Sequence, residues 1–238
     1  MINLSKILFE STIDSSEFIR ELKQAKDSSS PFLFDLIDDP KTFYEVNKQK
    51  IESILNGATE FKFLGSGTYG SAFSLGDKVL KLELNPHRQT TVMDRFKKER
   101  KKGKYLPMIY AHGTLKTDVP KDLIQNPDEG TTIYYTILEK FDTENIDPKY
   151  NSLLFYIILE IEKYRKPPLP KKELIDLINK TYGSQMVKME ANLRLSSNWL
   201  SHFINDIKSL RKLNIADLHS GNIGIRRVGG EGYFVFFD

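Results

Sequence analysis

The segment Asp217-Leu218-His219-Ser220-Gly221-Asn222 puts an aspartate and an asparagine on one tight loop. At this spacing the two can face one ligand together. The carboxylate can accept or orient a hydroxyl proton, and the amide oxygen can be offered to a hard cation. Asp238 stands at the far end of a hairpin that begins at Asn222 and turns through Val228-Gly229-Gly230-Glu231-Gly232, so the chain brings a second oxygen ligand back toward the first. A carboxylate beside an amide oxygen makes a partial magnesium site and leaves the other positions to phosphates and water.

A second group of residues suits the phosphates themselves. Gly65-Ser66-Gly67-Thr68-Tyr69-Gly70 has glycines where a strand–turn–strand could lie close over phosphate oxygens without side-chain clash. A dinucleotide-binding turn of the same spacing leads into a helix. Here Ser71 to Leu75 reads as a strand, which points away from that fold. Lys81, in Val79-Leu80-Lys81-Leu82, could neutralise phosphate oxygens if a carboxylate held its flexible stem. Glu99, in a helix expected over 90–102, is the better candidate for that role. Glu83 is the poorer one, because it lies on the same strand as Lys81.

The elements that must position these groups follow from patterning. Residues 1–60 read as helical, with a break at Ser28-Ser29-Ser30-Pro31. A helix after Pro40 has Phe43, Val46, Ile51, Ile54 and Leu55 as its expected buried stripe and ends at Asn56-Gly57. Phe61–Leu64, Ser71–Leu75 and Val79–Leu84 read as three strands of an antiparallel meander. Two more strands are expected at 108–113 and 131–141, with a polar insertion over 116–130. The chain then turns helical, over 152–166 until Pro167-Pro168, from Pro170 to Gly183, and over 196–212. In the last of these, Leu200, Phe203, Ile204, Ile207 and Leu210 share one face.

In this order and spacing, residues 61–238 resemble the protein-kinase-like superfamily. The resemblance implies an α+β, two-lobed fold: a 1–60 N-terminal helical extension, a 61–141 ATP-binding lobe built on a small antiparallel sheet, and a mainly helical 142–238 lobe. It implies ATP and Mg2+ as cofactors. Gly65, Ser66, Gly67, Thr68, Tyr69 and Gly70 would form the glycine-rich loop. Lys81 would be the phosphate lysine, Glu99 its partner, Asp217 the catalytic aspartate, and Asn222 and Asp238 the metal ligands. Leu138 would guard the back of the adenine pocket, and Glu139, Lys140 and Phe141 would form the hinge whose backbone meets adenine. Ile215-Ala216 replaces the usual His-Arg before the catalytic aspartate, and His219 replaces a lysine. This Asp-Leu-His-x-Gly-Asn form is more similar to the atypical and small-molecule branch, such as aminoglycoside or choline phosphotransferases and the ubiquinone-biosynthesis kinases. The sequence stops at Asp238, so the helical lobe is expected to be truncated relative to typical kinases. Either the given chain is cut short or it is a minimal kinase-like domain, and in the second case the helices at 150–195 would supply the acceptor site or a partner surface.

The resemblance implies a phosphotransferase acting on a protein or small-molecule hydroxyl. Two rivals stand beside it: a catalytically inactive nucleotide- or partner-binding relative, and a kinase-fold enzyme that transfers AMP. Composition sets the outer bounds. Cysteine is absent, which excludes disulfides, thiolate zinc sites and cysteine nucleophiles and fits a cytoplasmic location. The net charge of +3 gives no footing for nucleic acid, and neither a signal peptide nor a membrane span is expected. A protein partner could dock through residues 1–60 or through the basic run 97–104. The four histidines are too scattered for a zinc site.

Overall fold

The structure, a computed structural model, describes residues 13–28, 32–67, 70–84, 107–119, 132–141, 146–212 and 223–236. They fall into two compact units. Of the described residues, those within 13–84 and 108–140 make one, and Pro107 with those within 141–236 make the other.

The first unit opens with helix α1 (Ser15–Ser28), a 3-10 turn (Phe32–Asp35) and helix α2 (Pro40–Leu55). Asp39 starts α2 by accepting hydrogen bonds from the Thr42 amide (2.9 Å) and hydroxyl (2.8 Å), and Pro40 takes the first helical position, where no amide donor is needed. Five strands follow: β1 (Lys62–Ser66), β2 (Gly70–Leu75), β3 (Lys78–Glu83), β4 (Ile109–Lys116) and β5 (Thr132–Glu139). They form one antiparallel sheet in the order β1-β2-β3-β5-β4. The meander expected from Phe61 to Leu84 is therefore present.

Strand alternation gives this sheet two unlike faces. Phe73, Leu75, Leu80, Leu82, Ile133 and Ile137 point to one side and share a core with Phe18, Leu22, Phe43, Ile51 and Phe61. The rings of Phe18, Phe61 and Phe73 stack in sequence with centroids 5.0 Å apart at each step. The expected stripe of α2 needs one correction. Phe43, Ile51, Ile54 and Leu55 are buried, but Val46 is exposed and Asn47 turns inward. The Asn47 amide group donates to the Phe43 and Lys116 carbonyls (3.0 and 2.9 Å), and its oxygen accepts from the Lys116 amide (2.8 Å). A polar side chain that satisfies strand backbone in this way displaces an apolar one from the inner face.

The second unit holds helices α3 (Pro148–Lys163), α4 (Lys171–Leu193) and α5 (Trp199–Lys212) and a hairpin of β6 (Ile223–Val228) and β7 (Glu231–Phe236). Helix α3 begins earlier than Ser152 because Asp147 caps it, accepting from the Lys149 amide at 2.9 Å. Helix α4 runs through Gly183 instead of ending there. Leu174, Ile178, Met186, Met189 and Leu193 form a continuous buried stripe across that glycine. Each buried side chain contributes about 1.5–3 kcal/mol, against about 1 kcal/mol for one helical glycine. The hairpin turns on two residues instead of five: Gly229 and Gly230, both with positive φ (60° and 86°), the conformation that matches strand twist. The expected inner face of α5 is buried, with Trp199 beside it. Among the described residues no helix is long and apolar enough to cross a membrane. The architecture is the α+β, two-lobed class: an antiparallel-sheet lobe preceded by helices, and a mainly helical lobe. The helix expected over 90–102 lies outside the described residues.

Candidate functional site

The glycine-rich turn joins β1 to β2. The Gly67 amide donates to the Gly70 carbonyl at 2.9 Å and closes it, and the Ser66 and Ser71 hydroxyls meet at 2.7 Å across its base. The three glycines have different reasons to be there. A Cβ on Gly70 would meet the Leu82 carbonyl oxygen and Glu83 Cγ (2.6 Å), so close packing on β3 requires glycine. At Gly65 and Gly67 nothing among the described residues lies within 4 Å of such a Cβ, and neither φ is positive. Among the described residues neither packing nor backbone strain accounts for those two. Thr68 and Tyr69 lie outside the described residues.

Lys81 stands on the sheet face opposite the shared core. Register places Ala72, Lys81, Thr136 and His112 directly across from one another on β2, β3, β5 and β4. A small residue therefore flanks the lysine on the side of the glycine turn, and polar residues continue the row on the other side. The Lys81 ammonium pairs with Glu83 at 3.3 Å, and both side chains are largely buried. This is the carboxylate ranked second in the sequence; Glu99 lies outside the described residues. Next to Lys81, Thr136 is 1% exposed and its hydroxyl has no hydrogen-bond partner. Nothing in the local sequence singles out Thr136, because only the pairing of β3 with β5 reveals it.

Leu138 and Glu139, named in the hinge expectation, close β5, and Lys140 follows it. Leu138 is buried, paired between Val79 and Ile109. The Glu139 amide donates to the Met108 carbonyl (2.9 Å), and its carboxylate accepts from the Met108 amide (3.1 Å). Lys140 ties this strand end to the β2–β3 turn: its ammonium reaches the Ser74 hydroxyl (2.9 Å) and the Gly76 carbonyl (3.2 Å). The strand end is thus held by side chains as well as by the ladder.

In the second unit, Phe141 rests on β6. A Cβ on Gly224 would lie 2.5 Å from Phe141 Cβ, and the Arg226 guanidinium sits 6.0 Å over the Phe141 ring. Gly224 is a residue the sequence reading passed over, and it follows Asn222 by two positions. Helix α5 and strand β7 are joined by aromatic packing. Phe203 stacks on Phe236 at 5.2 Å, and Trp199 meets Phe234 edge-on at 5.3 Å. The end of α4 is bonded to the same hairpin: the Gly232 amide donates to Arg194 (2.7 Å), and its carbonyl accepts from Ser196 (3.1 Å). Ile223 pairs with Phe236, so the chain toward Asn222 and the chain toward Asp238 leave the hairpin at one end. Asp217, His219, Asn222 and Asp238 themselves lie outside the described residues.

One buried acid was also missed. Asp206 on α5 is buried with one carboxylate oxygen unpartnered. Burial pushes its pKa up to about 8, against the opposing pull of Arg226 and Lys171. Among the described residues no group of three or more His, Asp or Glu could hold a metal ion.

No protein-family model matches the chain. No curated protein matches it either. Among solved structures it is similar to the streptomycin–ATP–APH(2")-IIa ternary complex, with 12% identity over 82% of this chain and 70% of that one, at a TM-score of 0.37. It is also similar to ADP-bound aminoglycoside phosphotransferase APH(2'')-Ib, with 14% identity over 83% of this chain and 69% of that one, at a TM-score of 0.33. Likenesses at this level carry no argument about activity, which rests on the chain's own residues.

Proposed function

We propose that this chain is an ATP- and magnesium-dependent phosphotransferase acting on a protein or small-molecule hydroxyl in the cytoplasm. One observation carries the reading. Lys81 stands one strand away from the glycine turn, across from Ala72, and that turn keeps two glycines for which its own packing gives no reason. A phosphate lying over Gly65 and Gly67 supplies the reason.

In this reading the backbone amides of Gly65–Gly70 and the Lys81 ammonium hold the phosphates, and Glu99 positions the lysine. Glu139, Lys140 and Phe141 present backbone to adenine, with Leu138 behind. Asn222 and Asp238 are hard oxygen donors of the kind magnesium takes, and they would hold it. When bound, the ion supplies charge neutralisation at the phosphate oxygens. Asp217 orients the acceptor hydroxyl and takes its proton as the acceptor oxygen bonds to the γ-phosphorus and ADP departs. Such chemistry needs positioning and charge neutralisation more than covalent help, so few residues suffice.

The test is transfer from ATP labelled separately at the α and γ positions, with magnesium, beside Asp217→Ala and Asp238→Ala. The expected result is γ-label on an acceptor hydroxyl, lost in both variants. Transfer of the α-label would make the chain an AMP transferase. Absence of magnesium-dependent nucleotide binding would overturn the proposal.

A further inference from the structure

We infer that Thr136 is a positioning residue for Lys81, its hydroxyl taking one N–H of the lysine ammonium when a polyphosphate occupies the glycine turn. The inference rests on the reading that Lys81 meets the phosphates.

The argument starts from an energetic oddity. A hydroxyl buried without a hydrogen-bond partner destabilises a fold, and a methyl of the same shape would avoid the loss. Thr136 sits in mid-strand at 1% exposure with its hydroxyl unpartnered, on the sheet face that carries Lys81. Its neighbours in the row are Lys81 on one side and His112 on the other. Residues directly opposite in an antiparallel pair have Cβ atoms about 4.5–5.5 Å apart, within the reach of a lysine stem.

The described pair of Lys81 is Glu83, two residues along its own strand. A polyphosphate and the Glu83 carboxylate are both anions and compete for the same ammonium. Close together they also repel, so drawing Lys81 onto phosphate weakens its hold on Glu83. A neutral acceptor on the neighbouring strand does not compete in this way. The ammonium has three donors, so in this reading one goes to the Thr136 hydroxyl, one to Glu99 and one to a phosphate oxygen. The hydroxyl thereby gains a partner, and the long stem gains an anchor on a second strand.

The experiment measures magnesium–ATP affinity by calorimetry, and melting temperature without nucleotide, for the wild type, Thr136→Val, Thr136→Ser, Lys81→Met and the double variant Lys81→Met/Thr136→Val. Removing a hydrogen bond to a charged group costs about tenfold in affinity. The expected result is that loss in Thr136→Val, near-wild-type affinity in Thr136→Ser, and a nucleotide-free melting temperature for Thr136→Val equal to or above wild type. In the Lys81→Met background, Thr136→Val should cause no further loss. Equal affinity of Thr136→Val and wild type would overturn the inference. So would an undiminished effect of Thr136→Val when Lys81 is already methionine, or a melting temperature that falls together with affinity. A wild type that does not bind magnesium–ATP would instead remove the underlying reading, which separates the two failures.

Discussion

The two faces of the five-stranded sheet solve opposite problems. The face under α1 and α2 is apolar, and the buried polar groups beside it are bonded. Glu21 accepts from the Phe63 amide at 2.7 Å, and Asn47 satisfies both backbone groups of Lys116. The other face carries Lys81, Glu83, His112 and a buried hydroxyl with no partner. The first face is arranged for stability. The second tolerates an unfavourable group, which a fold retains where a ligand or a moving side chain completes the bonding.

This contrast can be broken or sharpened by substitution. The largest effect should come from the covered face. Phe61→Ala opens the ring stack and should cost about 3–5 kcal/mol in denaturant unfolding. Asn47→Ala removes the buried side chain that bonds the Phe43 carbonyl and the partly buried Lys116 amide and carbonyl, and should cost about 1–3 kcal/mol by the same measurement. If either variant unfolds like wild type, the covered face is not what holds this unit together.

Asp206 tests whether an unpartnered buried group elsewhere behaves as Thr136 does. Its pKa is raised to about 8 in the folded chain from the ordinary 3.8. The folded state therefore holds the proton more tightly than the unfolded state. Its contribution is fully present below about pH 4 and is lost as pH rises toward 8. Asp206→Asn should flatten the fall in melting temperature over that window and leave the protein more stable than wild type at pH 8. An unchanged slope would show that Asp206 is not the group that titrates. The smallest stability effect is expected at Gly65→Ala, within about 0.5 kcal/mol of wild type because the new methyl meets none of the described residues, yet with weakened nucleotide binding. A Gly65→Ala variant that keeps full nucleotide affinity would remove the phosphate explanation for that glycine.

Much of this was legible from local pattern. The change from helical to strand periodicity near Phe61 announces the meander, and the clean apolar face of 200–210 announces α5. Local pattern failed where distant backbone decides. The inward turn of Asn47 depends on the edge of β4, which lies far off in sequence. The passage of α4 through Gly183 depends on a buried stripe that continues beyond it. The candidate site divides in the same way. Gly65, Gly67, Gly70 and Lys81 declare themselves by type and spacing. Thr136 and Gly224 are ordinary residues until strand register sets one beside Lys81 and close packing sets the other against Phe141. Glu99, Asp217, Asn222 and Asp238 remain sequence-based proposals.

The side chains that satisfy the outer strands have a further consequence. On β1 the Phe63 amide is taken by Glu21. On β4 the Lys116 amide and carbonyl are taken by Asn47, and the Thr114 carbonyl by Lys50 at 2.7 Å. An open sheet normally ends in rows of unpaired amides and carbonyls that can recruit a strand from another molecule. Here helices that precede the sheet in the chain occupy such positions on both borders. The N-terminal helices thereby fill edge positions that a strand from another molecule could otherwise take, and removing them is expected to promote aggregation.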